Sequence, residues 1–301
     1  MAKRSIIHMI NPMIHNSPFD INMAVDAGYD VIVPYENIKL EEVHNLAQDA
    51  IFSRGPSGVK KTSMFIGGRD IGLAMDMLDE AKKAMVPPFE ISVFADPSGA
   101  FTTAGALVAC VEAELKKNFN QDLNGTRAVV FGGTGPVGLA TAVIAAQQGC
   151  DTTIVDHFSI DTALEFAAEA KQRYGVELRA TAAASDADKA RLISNADLVF
   201  CTAKAGIQVL NASVLEDAKQ LKVAGDVNAV PPLGIEGIGI MDFGEPLTHA
   251  TNSKGAVAIG ALAVGNVKYQ LQQALLTETL ETEKPVYLDF RNAFDGAQKL
   301  V

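Results

Sequence analysis

Along most of the chain, short β-branched apolar runs alternate with longer stretches whose apolar residues recur every three or four positions. The first pattern suits strands and the second suits amphipathic helices. In residues 1–118, the runs at 5–10, 30–34, 62–66 and 91–95 predict strands. Helices are predicted between them at 18–27, 40–52 and 71–84, and after them over 102–117. Ser17-Pro18-Phe19-Asp20 opens the first helix with a capping serine, a proline at the first helical position and an acid in the first turn. A polar segment at 118–126 leads to a second alternating block, with strands predicted at 127–131, 152–155, 177–180, 197–201 and 221–224. Its helices are predicted at 136–148, 161–174, 186–193 and, briefly, 212–218. From Lys254 an apolar segment and a last helix are expected to return to the first block. Alternation of this kind implies βαβ units, so the expected fold class is α/β with parallel sheets. The expected domains are 1–120, completed by 261–301, and 125–260.

Composition supports that class. Of the 301 residues, 48% are apolar and only 6% aromatic, with no tryptophan, which suits doubly covered strands and closely packed helices. The formal net charge of −11 argues against nucleic-acid binding, which needs a basic stripe to displace counterions from phosphates. The basic pairs Lys3-Arg4, Lys60-Lys61, Lys82-Lys83 and Lys116-Lys117 lie scattered among acids and read as solvated surface. Cys110, Cys150 and Cys201 stand alone in apolar surroundings, with neither metal-ligand spacing nor an even count for disulfides. The start of the chain lacks a signal peptide's apolar region, and the longest apolar stretch, 256–264, falls short of the ~20 residues that span a bilayer. A cytoplasmic protein without membrane or nucleic-acid partners is expected.

The clearest chemistry follows the strand predicted at 127–131. Gly132-Gly133-Thr134-Gly135-Pro136-Val137-Gly138 contains G-x-G-x-x-G in Gly133, Gly135 and Gly138. Gly133 is expected to make the tight turn and Gly135 to let backbone approach a pyrophosphate. Gly138 lets helix and strand pack closely, while the helix start offers N–H groups to the anion. Glycine motifs also arise in ordinary tight turns; placement between strand and helix favours a dinucleotide-binding Rossmann domain. The next strand ends at Asp156, 23 positions after Gly133, where a carboxylate accepts ribose hydroxyls and repels a 2′-phosphate. His157-Phe158-Ser159 supplies no base to welcome that phosphate, so NAD is predicted, with NADP weaker. His157 is read as lying at the adenine rim, with an ordinary surface histidine as the alternative. Later strand ends should line the same crevice with Ala203, Lys204 and Ala205, and with Asp226, Asn228 and Ala229, the Asn228 amide serving the nicotinamide side; ordinary loop capping is the alternative for each polar residue.

Several segments together resemble the bacterial methylenetetrahydromethanopterin dehydrogenases of one-carbon metabolism. They include Ser17-Pro18-Phe19-Asp20, Phe52-Ser53-Arg54, Phe65-Ile66-Gly67-Gly68, and Asp96-Pro97-Ser98-Gly99 with Thr102-Thr103. The glycine motif follows, then Asp226-Val227-Asn228-Ala229-Val230-Pro231-Pro232-Leu233-Gly234 and Gly260-Ala261-Leu262-Ala263-Val264-Gly265-Asn266-Val267-Lys268. The segment from His8-Met9 to Tyr35 looks most like the branch that accepts NAD as well as NADP. The resemblance implies a pterin domain beside the Rossmann domain, pterin in the cleft between them, and a homo-oligomer, a trimer. It implies reversible oxidation of methylene-tetrahydromethanopterin to the methenyl cation in formaldehyde oxidation. Strictly NADP-specific relatives carry a basic residue near the end of the second Rossmann strand; this sequence has Asp156-His157 instead.

That reaction explains why no catalytic triad is visible. Hydride leaves a carbon held between two nitrogens whose lone pairs stabilise the cation, so no proton moves in the step and no acid or base is expected. Alignment and exclusion of water suffice. The substrate-contact candidates are Asp20, Asp96, Ser98, Thr102, Thr103 and Lys268, with helix capping the alternative for Asp20 and Thr103 and a surface lysine the alternative for Lys268. Tyr35 and Lys39 have the Tyr-x-x-x-Lys spacing of short-chain dehydrogenases and of folate dehydrogenase/cyclohydrolases, but Tyr35 directly follows a strand ending in Pro34 and precedes the glycine motif, the wrong order for a short-chain dehydrogenase. That pair is read as chance. The rival readings are a methylenetetrahydrofolate dehydrogenase and a noncatalytic NAD-sensing protein.

Overall fold

Every residue of the run Thr62–Ile66 is buried, as is every residue of Ser92–Ala95, so these strands are covered on both faces. The computed structural model describes residues 3–301. Its elements begin with β1 (Ile6–Ile10), α1 (Pro18–Asp26), β2 (Val31–Tyr35), α2 (Leu40–Phe52), α3 (Pro56–Val59) and β3 (Thr62–Ile66). Next come α4 (Ile71–Lys83), β4 (Ser92–Ala95), α5 (Ala100–Phe119), β5 (Arg127–Phe131), α6 (Pro136–Gln147) and β6 (Asp151–Asp156). They continue as α7 (Ile160–Tyr174), β7 (Arg179–Ala182), α8 (Asp186–Ile193), β8 (Leu198–Cys201), α9 (Ala212–Glu216) and β9 (Val223–Asp226). The last are β10 (Phe243–Pro246), β11 (Val257–Ile259), α10 (Ala261–Glu281), β12 (Tyr287–Leu288) and α11 (Phe290–Ala297). Among the described residues, no helix is long and apolar enough to cross a membrane.

Two compact units result: residues up to Thr102 with Tyr269–Gly296, and Thr103–Lys268 with Ala297–Val301. The first carries a wholly parallel sheet in the order β12-β4-β3-β1-β2. Pro34, which cannot donate to a ladder, sits in the edge strand β2. Phe65 and Phe94 meet edge to face at 5.5 Å in its core. The returning chain is fastened to this sheet by Ser63 Oγ donating to the Thr279 carbonyl at 2.9 Å and by β12 pairing with β4.

The second unit has the order β10-β11-β9-β8-β5-β6-β7, parallel except for β10. Leaving out that antiparallel edge, this is the Rossmann order, with the reversal of winding between β5 and β8. α6 is buried continuously from Gly138 to Ala145, which its glycine and alanines permit. The sequence pattern misplaced β7 and β9 by two residues each and did not reveal α3, β10, β11, β12 or α11.

Candidate active site

The crevice of the second unit begins where β5 gives way to α6. Gly132, at φ +74°, makes the turn; the tight turn expected of Gly133 thus falls one residue earlier. A Cβ on Gly132 would lie 2.8 Å from the Ala203 backbone, and one on Gly133 would lie 2.7 Å from Ile154 Cβ. One on Gly138 would lie 2.1 Å from the Gly132 carbonyl oxygen, closer than real Cβ contacts allow. Gly135 is the N-cap of α6, with no side-chain capping bond, and Pro136 stands at its first position. The first-turn N–H groups of Val137 and Gly138, which a helix cannot satisfy internally, therefore stay open for an anion. Thr134, between the glycines, is half-buried.

Asp156 ends the neighbouring strand β6. Its Oδ1 accepts the Phe158 and Ser159 N–H groups at 2.8 Å each, and its Oδ2 accepts the Thr134 hydroxyl at 2.8 Å. Burial pushes this carboxyl up, but the three hydrogen bonds and nearby His157 outweigh it and hold the group below its ordinary value. Asp156 is thus an anion at neutral pH, beside a cleft of about 430 Å³ at the ends of β5, β6 and β8. Its lining includes Asp156, His157 and Phe158 on one side and Ala203 and Lys204 on another. Ala205 is exposed next in that loop. Sequence reasoning overlooked Phe158, Ile207 and Lys189 in the same lining; an aromatic after a strand-end acid was the one available signal.

Two expected cofactor contacts need correction. Asp226, at the end of β9, is 1% exposed and accepts the N–H groups of Asn228 at 2.9 Å and Ile235 at 3.0 Å. Burial raises its pKa, partly offset by N–H groups of Asn228, Ile235 and Gly234. Asn228 is 3% exposed: its Oδ1 accepts from Gly206 and Val230, and its Nδ2 donates to the Pro232 carbonyl. The Asn228 amide is therefore spent tying the loop after β8 to the loop after β9, not open toward a nicotinamide. Both residues shape the crevice from behind, while Ala229 is exposed.

In the first unit, β4 meets α5 through a short 3-10 turn. Asp96 is wholly buried, and its Oδ1 accepts the Phe101 and Thr102 N–H groups at 2.9 and 3.1 Å. Its Oδ2 accepts the Thr102 hydroxyl at 2.6 Å, and Thr102 is also wholly buried. Expected as substrate contacts, these two residues instead close the start of α5. Ser98 is exposed, with φ +54° and ψ +26°, and donates its hydroxyl to the Gly68 carbonyl at 2.7 Å. Left-handed backbone at a serine is strained and is concentrated at functional sites. Asp20, expected to face substrate from the first turn of α1, is 6% exposed and accepts Gln272 Nε2 at 2.8 Å. It anchors α10 one turn beyond Lys268, since a lone carboxylate there would be costly to bury. Ser17 is the N-cap as expected but makes no side-chain bond. Thr103 and Lys268 are half-buried. Tyr35 ends β2 whereas Lys39 caps α2, with Asn37 at φ +57° between them, so the Tyr-x-x-x-Lys pair shares no helix face.

A Rossmann sheet with an open glycine turn and a charged acid at the second strand end defines the class of nicotinamide-dinucleotide oxidoreductases. Residues 18–98 match the family described as methylene-tetrahydromethanopterin dehydrogenase, N-terminal. The chain is 47% identical over 297 residues, 99% of each chain, to the NAD(P)-dependent methylenetetrahydromethanopterin dehydrogenase of Methylorubrum extorquens. It belongs to that dehydrogenase family. The bifunctional protein MdtA of the same organism is 31% identical over 271 residues, 90% of each chain. Among solved structures, shikimate 5-dehydrogenase from Listeria monocytogenes superposes with a TM-score of 0.54 at 15% identity, covering 99% of this chain and 96% of the other. That likeness is one of fold.

Proposed function

We propose that this protein transfers a hydride from methylene-tetrahydromethanopterin to NAD+, giving the methenyl cation and NADH. The observation that carries the reading is the 47% identity running over 99% of both chains, rather than any single motif. The residues of the crevice fit the cofactor: Gly133, Gly135 and Gly138 bring α6 against β5, and its first turn receives a pyrophosphate. Thr134, Pro136 and Val137 form the rest of that turn. Asp156 accepts ribose hydroxyls and disfavours a 2′-phosphate, so NAD is preferred and NADP is used less well. His157, Ala203, Lys204, Ala205 and Ala229 line the cofactor, with Asp226 and Asn228 holding the last two loops in shape. Bound there, the dinucleotide supplies a two-electron hydride acceptor.

Ser98, Thr103 and Lys268 are assigned to contact the pterin, while Asp20, Asp96 and Thr102 fasten the elements that carry them. The substrate carbon leaves its bonding pair with the hydride, and its two nitrogens donate electron density to the resulting cation. No side chain has to accept a proton. The chain contributes alignment and exclusion of water. The proposed assembly is a homo-trimer and the proposed location the cytoplasm.

The test is NADH formation by purified protein given methylene-tetrahydromethanopterin, with NADP+ and methylene-tetrahydrofolate run in parallel. NAD-linked turnover of the methanopterin is expected. Turnover chiefly with NADP+ would overturn the role given to Asp156, and preference for the folate would overturn the substrate.

A further inference from the structure

Lys189, in α8, contributes to the lining of the cleft that holds Asp156, and its side chain is nine-tenths buried. A buried ammonium is rare unless it is paired. Its one hydrogen bond runs to Asp186 Oδ1 at 3.1 Å, and Asp186 is itself held from its other oxygen by Asn211 Nδ2 at 2.7 Å. An ammonium has three donors and no acceptor, so two donors remain unspent. The cleft is mostly apolar, with Val155, Phe158, Ala183, Ile207 and Val209 in its lining beside the polar Asp156, His157, Lys204 and Gln208. Apolar walls with a few placed polar groups, of which Lys189 is the buried donor, suit an aromatic base.

We propose that Lys189 recognises the adenine of the dinucleotide by donating to a ring-nitrogen acceptor. This rests on the cofactor reading above and assigns that site a specificity residue. The alternative target of a cation here, a 2′-phosphate, is disfavoured by the charged Asp156 at the ribose position. Asp186 also neutralises part of the ammonium's charge while leaving its donors free.

The experiment measures dissociation constants of NADH, NADPH and reduced nicotinamide mononucleotide, which lacks the adenosine, for wild type, Lys189→Met and Lys189→Arg. Lys189→Met should lower the ratio of NADH affinity to mononucleotide affinity about tenfold, as expected for loss of one charge-assisted hydrogen bond. Lys189→Arg, which keeps a donor, should restore most of that ratio and guards against a methionine variant that folds poorly. An unchanged ratio in Lys189→Met would mean that Lys189 only pairs with Asp186. A larger loss for NADPH than for NADH would assign the ammonium to phosphate and overturn the proposal. Wild-type protein that binds no NADH would sink the cofactor reading itself, a result distinct from either.

Discussion

Where β5 runs into α6 the chain uses glycines, and where β4 runs into α5 it uses an aspartate and a strained serine. Both are junctions from a parallel strand into a helix, the place where helix N–H groups lack partners. In α6 the cap is Gly135, which offers no side chain, so the first turn stays open. In α5 the carboxyl group of Asp96 takes the Phe101 and Thr102 N–H groups, so the chain's own acceptor fills the position a ligand's anion would take. The first junction is built to receive a charged group from outside. The second is already satisfied and serves to fix the exposed, left-handed Ser98. A strand end followed by a helix is therefore not enough to mark an anion site; the cap residue decides.

Gly138→Ala should break the open junction most severely. Its Cβ would meet the Gly132 carbonyl oxygen at 2.1 Å and Thr202 Oγ1 at 2.6 Å, and the first of these is backbone. Moving that backbone costs about 1–3 kcal/mol or more, as overpacking does, and shifts the turn that receives the dinucleotide. NADH affinity is expected to fall about 100-fold, with a lower Tm, in titration calorimetry and thermal unfolding. Affinity within a few-fold of wild type would remove this turn from the site.

The contrast was half legible in the sequence. Glycines announce the open junction because only they tolerate such close approach, and the strands at 62–66 and 127–131 were placed to the residue on their apolar stretches Met64–Ile66 and Ala128–Phe131, which are buried throughout. The closed junction was not legible: Asp96 and Asp226 stand at strand ends just as Asp156 does, and sequence does not say whether a carboxylate turns outward or back onto its own loop. Asp156 stays charged at the cleft, whereas Asp226 is buried to 1% exposure and its pKa is pushed up. Lys189 hid for a similar reason, since Asp186 three residues earlier makes it look like a surface helix pair. β10 escaped because Gly244, at φ +87°, and Pro246 break its pattern, and β12 is two residues long.

Asp96→Ala tests the closed junction. It strips the acceptor from two buried backbone N–H groups, where each unsatisfied group costs about 1–3 kcal/mol before relaxation, and leaves the Thr102 hydroxyl only its longer bond to the Gly99 carbonyl at 3.3 Å. A stability loss of about 2–4 kcal/mol in urea unfolding is expected, with NADH affinity unchanged within about twofold. A parallel collapse of NADH affinity would show that the two junctions are not independent, and the comparison would fail.

The smallest effect, at Ser98, separates strain from hydrogen bonding. Ser98→Ala keeps the left-handed backbone and deletes the bond to the Gly68 carbonyl, so a loss of about 1 kcal/mol is expected. Ser98→Gly deletes the same bond but removes the Cβ clash that makes left-handed backbone cost about 1–2 kcal/mol. Glycine also gives the unfolded chain more freedom, which returns about 0.5–1 kcal/mol of that gain. The glycine variant should therefore be as stable as the alanine variant or slightly more so. Its methanopterin KM, by contrast, should rise as much as that of Ser98→Ala, because both lose the hydroxyl. If KM instead follows stability across the two variants, Ser98 acts only through the shape of its turn and touches no substrate.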